Sequence, residues 1–80
     1  MAHTLLPLPD VLKRRSKSRS AHYLDIRNGL FVPPVKTGVR SRRYPDDEVD
    51  VLIAACIAGK SNDEIRRLVA KLEAARKAAA

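Results

Sequence analysis

The chain has 80 residues, a formal net charge of +7 and a pI of about 10.2. A chain of this length forms one domain, residues 1–80, and buries only roughly 60% of its unfolded surface, which leaves little room for a deep substrate pocket. It contains no apolar run near the roughly 18 residues that span a bilayer, and its start lacks the basic and apolar segments of a signal peptide. We therefore expect a cytoplasmic protein with no membrane partner.

The positive charge is concentrated in the first half of the chain. Residues 1–44 contain ten Lys or Arg and two acidic residues, whereas residues 45–80 contain six Lys or Arg and seven acidic residues. A basic region of this kind favours a polyanionic partner, either nucleic acid or an anionic membrane surface. The membrane surface is the weaker of the two, because the basic residues fall on a predicted turn and hairpin and not along one face of an amphipathic helix. The alternative is a solvated basic surface that keeps the protein soluble.

A first short helix is predicted near the start of the chain. Pro9 fits the first helical position, where its missing N–H would be unsatisfied in any case. Asp10 suits the positive end of the helix dipole, and basic residues close the segment at its negative end. These features predict a helix over 9–15, followed by a short turn.

A second helix is predicted over 19–28. Ser18 can cap its first turn, and Gly29 follows its end, where a left-handed backbone needs no Cβ. A type I′ hairpin turn at Asn28–Gly29 is the alternative. The spacing of three apolar side chains favours the helix: Tyr23, Ile26 and Leu30.

A basic β-hairpin is predicted next. Phe31–Lys36 can form an edge strand, because its two prolines exclude a central position in a sheet. Thr37–Gly38 marks a turn, and Val39–Tyr44 forms the returning strand. The hairpin therefore presents a cluster of cations: Lys36, Arg40, Arg42 and Arg43.

A third helix is predicted from Pro45 to Gly59. Acidic residues occupy its first turn, where they match the helix dipole. Because the single cysteine, Cys56, lies among small and apolar residues, we expect it to be buried and not a reactive thiol. The apolar stripe of this helix follows a period of 3.6 residues: Val49, Leu52, Ile53, Cys56 and Ile57.

A fourth helix is predicted over about 62–77. Ser61 and Glu64 form the capping box that opens it. Its apolar stripe consists of Ile65, Leu68, Val69 and Leu72. We expect Ile65 and Leu68 to pack on their own domain, and the part from Leu72 to Lys77 to be freer to contact a second copy of the protein on DNA.

The order helix, turn, helix, basic hairpin, helix is typical of a winged helix-turn-helix. This fold is mainly α with a small β-hairpin wing, here with a core over about 5–59 and an added C-terminal helix. In it, the second helix enters the major groove of double-stranded DNA, where each base pair shows a distinct donor and acceptor pattern, and the hairpin contacts phosphates or the minor groove. The predicted DNA-binding residues are Arg14, Arg15, Lys17, Ser18, Arg19, Ser20, His22, Arg27, Lys36, Arg40, Arg42 and Arg43.

The residues of the second helix differ in what their positions predict. Arg19 is the first candidate for a guanine contact or a phosphate clamp. His22 is equally open to a packed position and to a contact with DNA. For Tyr23 the spacing favours the core over stacking on bases. Asp25 would repel phosphate, so we expect it to point away from DNA or to pair with a nearby arginine.

Five short segments, taken with their order and spacing, resemble a known family: Leu5–Leu12, Ser18–Tyr23, Asn28–Phe31, Pro34–Lys36 and Ala58–Ile65. They look like the AlpA family of prophage regulators, and the resemblance covers residues 5–77. It implies a MerR-like winged-helix DNA-binding domain, related to phage excisionases, with no catalytic residues and no cofactor.

The resemblance implies one of two related functions. One is transcriptional regulation of prophage or genomic-island genes. The other is that of an excisionase, or recombination directionality factor, which bends DNA near an attachment site and biases a separate integrase towards excision.

The chain departs from the family at surfaces that determine the DNA target. It has Arg15–Lys17 where the family often has Thr-Gly-Leu, Gly38–Arg40 where it has Gly-Pro-Arg, and Arg43 or Tyr44 in place of a tryptophan.

An enzyme and a protein-interaction adaptor are the rival classes. The only cluster of acidic residues fits a helix start, and His3, His22 and Cys56 lack the spacing of metal ligands, so neither catalysis nor a metal is expected. An adaptor would use the fourth helix to bind a partner such as an integrase, with DNA binding secondary.

Overall fold

The computed structural model describes residues 4–79, so residues 1–3 and 80 lie outside the described chain. The protein is mainly helical with a small antiparallel sheet, as predicted at this coarse level. Its elements are β1 (Leu5–Leu6), α1 (Leu8–Arg15), α2 (Arg19–Arg27), β2 (Val35–Lys36), β3 (Arg42–Pro45), α3 (Asp46–Ile57) and α4 (Asn62–Ala79). Among the described helices, none is both long and apolar enough to cross a membrane.

The sheet has three strands, with β3 between β1 and β2 and antiparallel to both. The predicted hairpin exists but is short, since Val35 and Lys36 alone pair with β3 on that side. The two preceding prolines have no N–H to extend the ladder, and Phe31 and Val32 turn into the core instead. Strand β1 was not predicted, because a two-residue strand has no alternating pattern to recognise.

The caps of α2 follow the sequence signals, whereas α1 begins at Leu8, one residue before the predicted Pro9. The Ser18 Oγ accepts a hydrogen bond from the Ala21 N–H at 3.2 Å, which confirms the predicted N-cap of α2. Gly29 has a φ of 75°, as expected just past a helix end. Ser16, at the end of α1, also has a positive φ of 54°, a left-handed conformation that glycine adopts with less strain.

The core draws one or more side chains from β1, β3, α1, α3 and α4, together with the segment between α2 and β2. Its buried members are Leu6, Val11, Phe31, Val32, Tyr44, Val49, Leu52 and Val69. Ile65 and Leu68 pack against this cluster, which confirms the expectation that they bind their own domain.

The C-terminal part of α4 is held to the same domain at Leu72 and Arg76, whereas the sequence predicted that residues 72–77 are freer than the first part of the helix. Leu72 packs against the core. The Arg76 Nε donates to both carboxylate oxygens of Glu48, at 2.9 Å each, and Glu48 is itself buried. The apolar stripe of the helix extends to Leu72, and the helix is still in contact with the core at that position.

The last turn of α3 differs from its prediction. Val49 and Leu52 are buried as expected, but Cys56 is exposed and Ile57 is 82% exposed. The two residues continue the helical stripe past the covered part of the core. They line a groove of about 410 Å³ that runs along α3, and within the described chain no element fills it.

Candidate nucleic-acid interface

The stretch from Val11 to Pro45 contains ten Lys or Arg and one acidic residue, Asp25. The Asp25 Oδ2 accepts hydrogen bonds from the Arg15 Nη2 at 2.6 Å and from the Lys17 Nζ at 2.5 Å. Burial acts to raise the pKa of Asp25, but the hydrogen bonds from Lys17 and Arg15 outweigh it and hold that pKa below its usual value. The predicted pairing of Asp25 with a nearby arginine is confirmed, and the one carboxylate of this stretch is neutralised.

Seven of these ten cations have no ion pair with a carboxylate of the described chain. One of them, Lys13, belongs to α1. Two lie on α2 and four lie on the segment from β2 to β3, which we call the hairpin; these six are Arg19, Arg27, Lys36, Arg40, Arg42 and Arg43. The nearest acids in sequence are Asp25, already paired, and Asp46, at the start of α3. The positive charge of α2 and the hairpin is therefore uncompensated within residues 4–79.

The outward face of α2 follows two i, i+4 series. Arg19, Tyr23 and Arg27 form one, and Ser20 and Leu24 form the other, all of them exposed. Tyr23 is 49% exposed, so its predicted position in the core is wrong. His22 and Ile26 face inward instead, and Tyr23 is one residue, about 100° around the helix, from His22. The spacing of Tyr23 to Arg19 and Arg27 is the signal that places it outside.

His22 is 0% exposed, so of the two positions left open for it the packed one is observed, and it leaves the set of predicted DNA contacts. Its Nδ1 is 2.8 Å from the Arg15 Nη1, and its Nε2 is 2.9 Å from the Tyr44 Oη. A guanidinium only donates, so Nδ1 must accept, and the ring proton lies on Nε2 and is donated to Tyr44. Burial, with the nearby charge of Arg15, lowers the pKa of His22 to about 4, so the ring is neutral.

Arg15 is also removed from the predicted interface, because its side chain is only 10% exposed. Besides its bonds to His22 and Asp25, its guanidinium lies 4.0 Å from the centre of the Phe31 ring, a cation–π contact. It therefore holds the turn between α1 and α2 together.

The remaining candidates at this turn are partly engaged. The Arg14 Nη1 lies 3.2 Å from the Asp50 Oδ1, with both side chains well exposed. Lys17 is paired with Asp25 as described above. The Ser18 Oγ caps α2, and its hydroxyl hydrogen is still available to a ligand on this exposed side. These side chains flank α2 without adding uncompensated charge.

A cleft of about 470 Å³ lies between α2 and the hairpin. Tyr23 lines it from α2, Arg42 and Arg43 line it from β3, and Arg40 lines it from the turn of the hairpin. Residues 7–9, Pro34 and Tyr44 form the rest of its wall. No carboxylate is among its lining residues, so the cleft combines an apolar wall with three guanidinium groups. The structure thus brings together side chains that the sequence could group only by the order of elements.

Of the other predicted residues, Arg19, Ser20 and Arg27 lie on the outward face of α2 and Lys36 lies exposed on β2, without lining the cleft. Within residues 4–79, no group of three His, Cys, Asp or Glu side chains is placed to hold a metal ion. The site is thus a convex helix face and a basic cleft. Comparisons of the chain with protein-family models, curated proteins and solved structures found no match.

Proposed function

We propose that the protein is a sequence-specific double-stranded DNA-binding protein of the winged helix-turn-helix type. The observation that carries this proposal is the set of six uncompensated cations on α2 and the hairpin, three of which line one basic cleft opposite Tyr23 of α2. A surface of that kind attracts the phosphate backbone, which supplies much of the affinity of DNA-binding proteins.

In this proposal α2 enters the major groove. Arg19 and Arg27 are eight residues apart, about 12 Å along the helix axis, which suits a helix that reaches two positions in one groove. Arg19 and Ser20, at the N-terminal end, contact base edges or a phosphate. Tyr23 lies between the two arginines, where its ring and hydroxyl meet the sugar–phosphate strand.

The hairpin contacts phosphates or the minor groove. Its three arginines face the cleft, so a DNA strand that passes between α2 and the hairpin meets guanidinium groups on one side and Tyr23 on the other. Guanidinium groups suit this role because they bind phosphate oxygens through two parallel hydrogen bonds.

The resemblance to the AlpA family narrows the proposal to a regulator of prophage or genomic-island genes or a recombination directionality factor.

A single small module reads few base pairs, and each good base contact contributes only about 1–3 kcal/mol of discrimination. We therefore propose that several copies bind adjacent sites cooperatively. Laddered mobility shifts at an attachment site would support the excisionase role, and binding confined to a promoter would support the transcriptional role.

The decisive experiment compares two triple variants that remove the same charge. Arg40→Ala, Arg42→Ala and Arg43→Ala remove three cations of the hairpin, and Arg67→Ala, Lys71→Ala and Lys77→Ala remove three exposed cations of α4. Affinity for duplex DNA is measured over a range of salt concentrations. We expect the hairpin variant to bind every sequence more weakly, with a salt slope flattened by about 0.9 for each phosphate that it no longer neutralises, and the α4 variant to change little. If both variants bound duplex DNA equally more weakly, the hairpin would contribute only through the net charge of the protein and not as a specific contact.

A second candidate function is a protein-interaction adaptor, for instance of an integrase. The observation that favours it is the unfilled groove along α3, with the exposed side chains of Cys56 and Ile57 on its edge. In an adaptor, the hairpin variant would bind its protein partner as well as the parent does, and neither protein would bind duplex DNA above competitor.

A further inference from the structure

A buried chain of polar side chains connects α1, α2 and β3. It runs from Asp25 to Arg15, then to His22, then to Tyr44, with successive distances of 2.6, 2.8 and 2.9 Å. His22 and Tyr44 are 0% and 2% exposed, and the side chains of Arg15 and Asp25 are 10% and 15% exposed. The chain therefore lies inside the domain, away from the outward face of α2.

Apolar packing alone would not require these groups. A buried imidazole or hydroxyl costs free energy unless it is hydrogen bonded. An aromatic hydrocarbon side chain would fill the same space against Phe31 without that desolvation cost. What the polar chain adds is a fixed orientation of the side chains that it joins. Arg15 donates to Nδ1 and Nε2 donates to Tyr44, so the imidazole ring is held at both nitrogens in one orientation.

The bond between His22 and Tyr44 joins the two sides of the basic cleft. His22 precedes Tyr23 on α2, and Tyr44 follows Arg42 and Arg43 on β3. Tyr23, both arginines and Tyr44 all line the cleft. A rotation of α2 about its own axis would break this bond, and so would a shift of β3 relative to α2. The same motion would change the distance between the cations of α2 and those of the hairpin.

We propose that Arg15, His22 and Tyr44 are positioning residues that hold α2 and the hairpin in one register, so that both contact the same DNA duplex. This inference rests on the proposed function. Two contact surfaces in a fixed relation bind more tightly than the same surfaces joined flexibly, because less conformational freedom is given up on binding. Without the buried chain, α2 engages DNA while the hairpin no longer reaches its phosphates.

The test uses Tyr44→Phe, which removes one hydroxyl and no charge. We expect duplex affinity to fall about tenfold, less than the roughly 10²–10⁴ that linking two binding surfaces can add, because the loss of one hydrogen bond loosens the hairpin without detaching it. The salt slope should flatten by about 0.9 or more, although every cation is still present. Combining Tyr44→Phe with the hairpin triple variant should add little, because the cations that the hydroxyl helps to position are already absent.

A merely structural role for the hydroxyl gives a different result. In that case Tyr44→Phe lowers the melting temperature but leaves the salt slope unchanged, and its effect adds fully to that of the hairpin variant, which would overturn the inference while the proposed function stands. If the parent itself does not bind duplex DNA, both fail. Should Tyr44→Phe not fold, the double variant His22→Phe, Tyr44→Phe replaces both partners by apolar rings and is measured in the same way.

Discussion

The turn between α1 and α2 and the hairpin are both rich in cations, yet the structure uses them differently. At the turn, Arg14, Arg15 and Lys17 each have a carboxylate within 3.2 Å. On the hairpin, no cation has a carboxylate partner in the described chain. Two acidic residues, Asp25 and Asp50, therefore divide one continuous basic sequence into a part that holds the domain together and a part that is free to bind an anion.

The largest expected effect comes from removing the carboxylate that neutralises the turn. Asp25→Asn leaves the buried guanidinium of Arg15 without its charge partner, so we expect the free energy of unfolding to fall by about 3 kcal/mol. Urea unfolding measures this decrease. Asp10→Asn, at the exposed first turn of α1, is the control and should cost at most about 1 kcal/mol. Equal, small decreases in both variants would show that the turn does not depend on its ion pairs.

The second prediction concerns pH and the neutral imidazole beside this turn. The pKa of His22 is about 4 in the folded protein and 6.5 in the unfolded chain, so its stabilising contribution is complete above pH 6.5 and is lost as the pH falls towards 4. The linked decrease in stability is about 3 kcal/mol over that window. Asp25, with a pKa below its usual value, stays charged there.

Unfolding measured across this pH window should therefore differ between the parent and His22→Phe. The variant lacks the titrating group, so its stability should change much less between pH 6.5 and 4. Parallel pH profiles for the two proteins would mean that His22 is not buried in its neutral form.

A third prediction compares an unpaired cation with a paired one. Arg19→Ala should weaken binding to duplex DNA by about 1–2 kcal/mol, as expected for one base or phosphate contact on the helix that we propose to enter the major groove. Arg14→Ala should change affinity less than about twofold, because Asp50 already offsets its charge. Anisotropy titrations of both variants at one salt concentration give the comparison. A larger effect for Arg14→Ala would move the interface from α2 to the turn.

The smallest expected effect concerns the backbone of the turn. Ser16 has a φ of 54°, and this conformation costs a residue with a Cβ about 1 kcal/mol or more. Ser16→Gly removes that strain but makes the unfolded chain more flexible, so we expect a net stabilisation of about 0.5 kcal/mol. Thermal unfolding detects it as a small rise in melting temperature, with DNA affinity unchanged. A lower melting temperature would show that the serine side chain supports the turn.

Local signals in the sequence determined much of the fold. Ser18 and the pair Ser61 and Glu64 marked helix starts, and the Ser61 Oγ does accept the Glu64 N–H at 3.2 Å. Gly29 and Gly59 marked ends, and both have a positive φ. Such caps depend on residues within three or four positions of each other, so the sequence contains all the information that they need.

The tertiary structure alone decided which cations are free and which side chains face outward. The sequence left His22 open between the core and DNA, placed Tyr23 inside and treated Arg15 as a DNA contact. The positions of His22 and Arg15 depend on residues that are distant in sequence. Tyr44 contacts His22, and Phe31 contacts Arg15, only once the chain is folded. In the same way, the exposure of Ile57 depends on where α4 crosses the core, because the helical period continues whether or not another element covers the stripe.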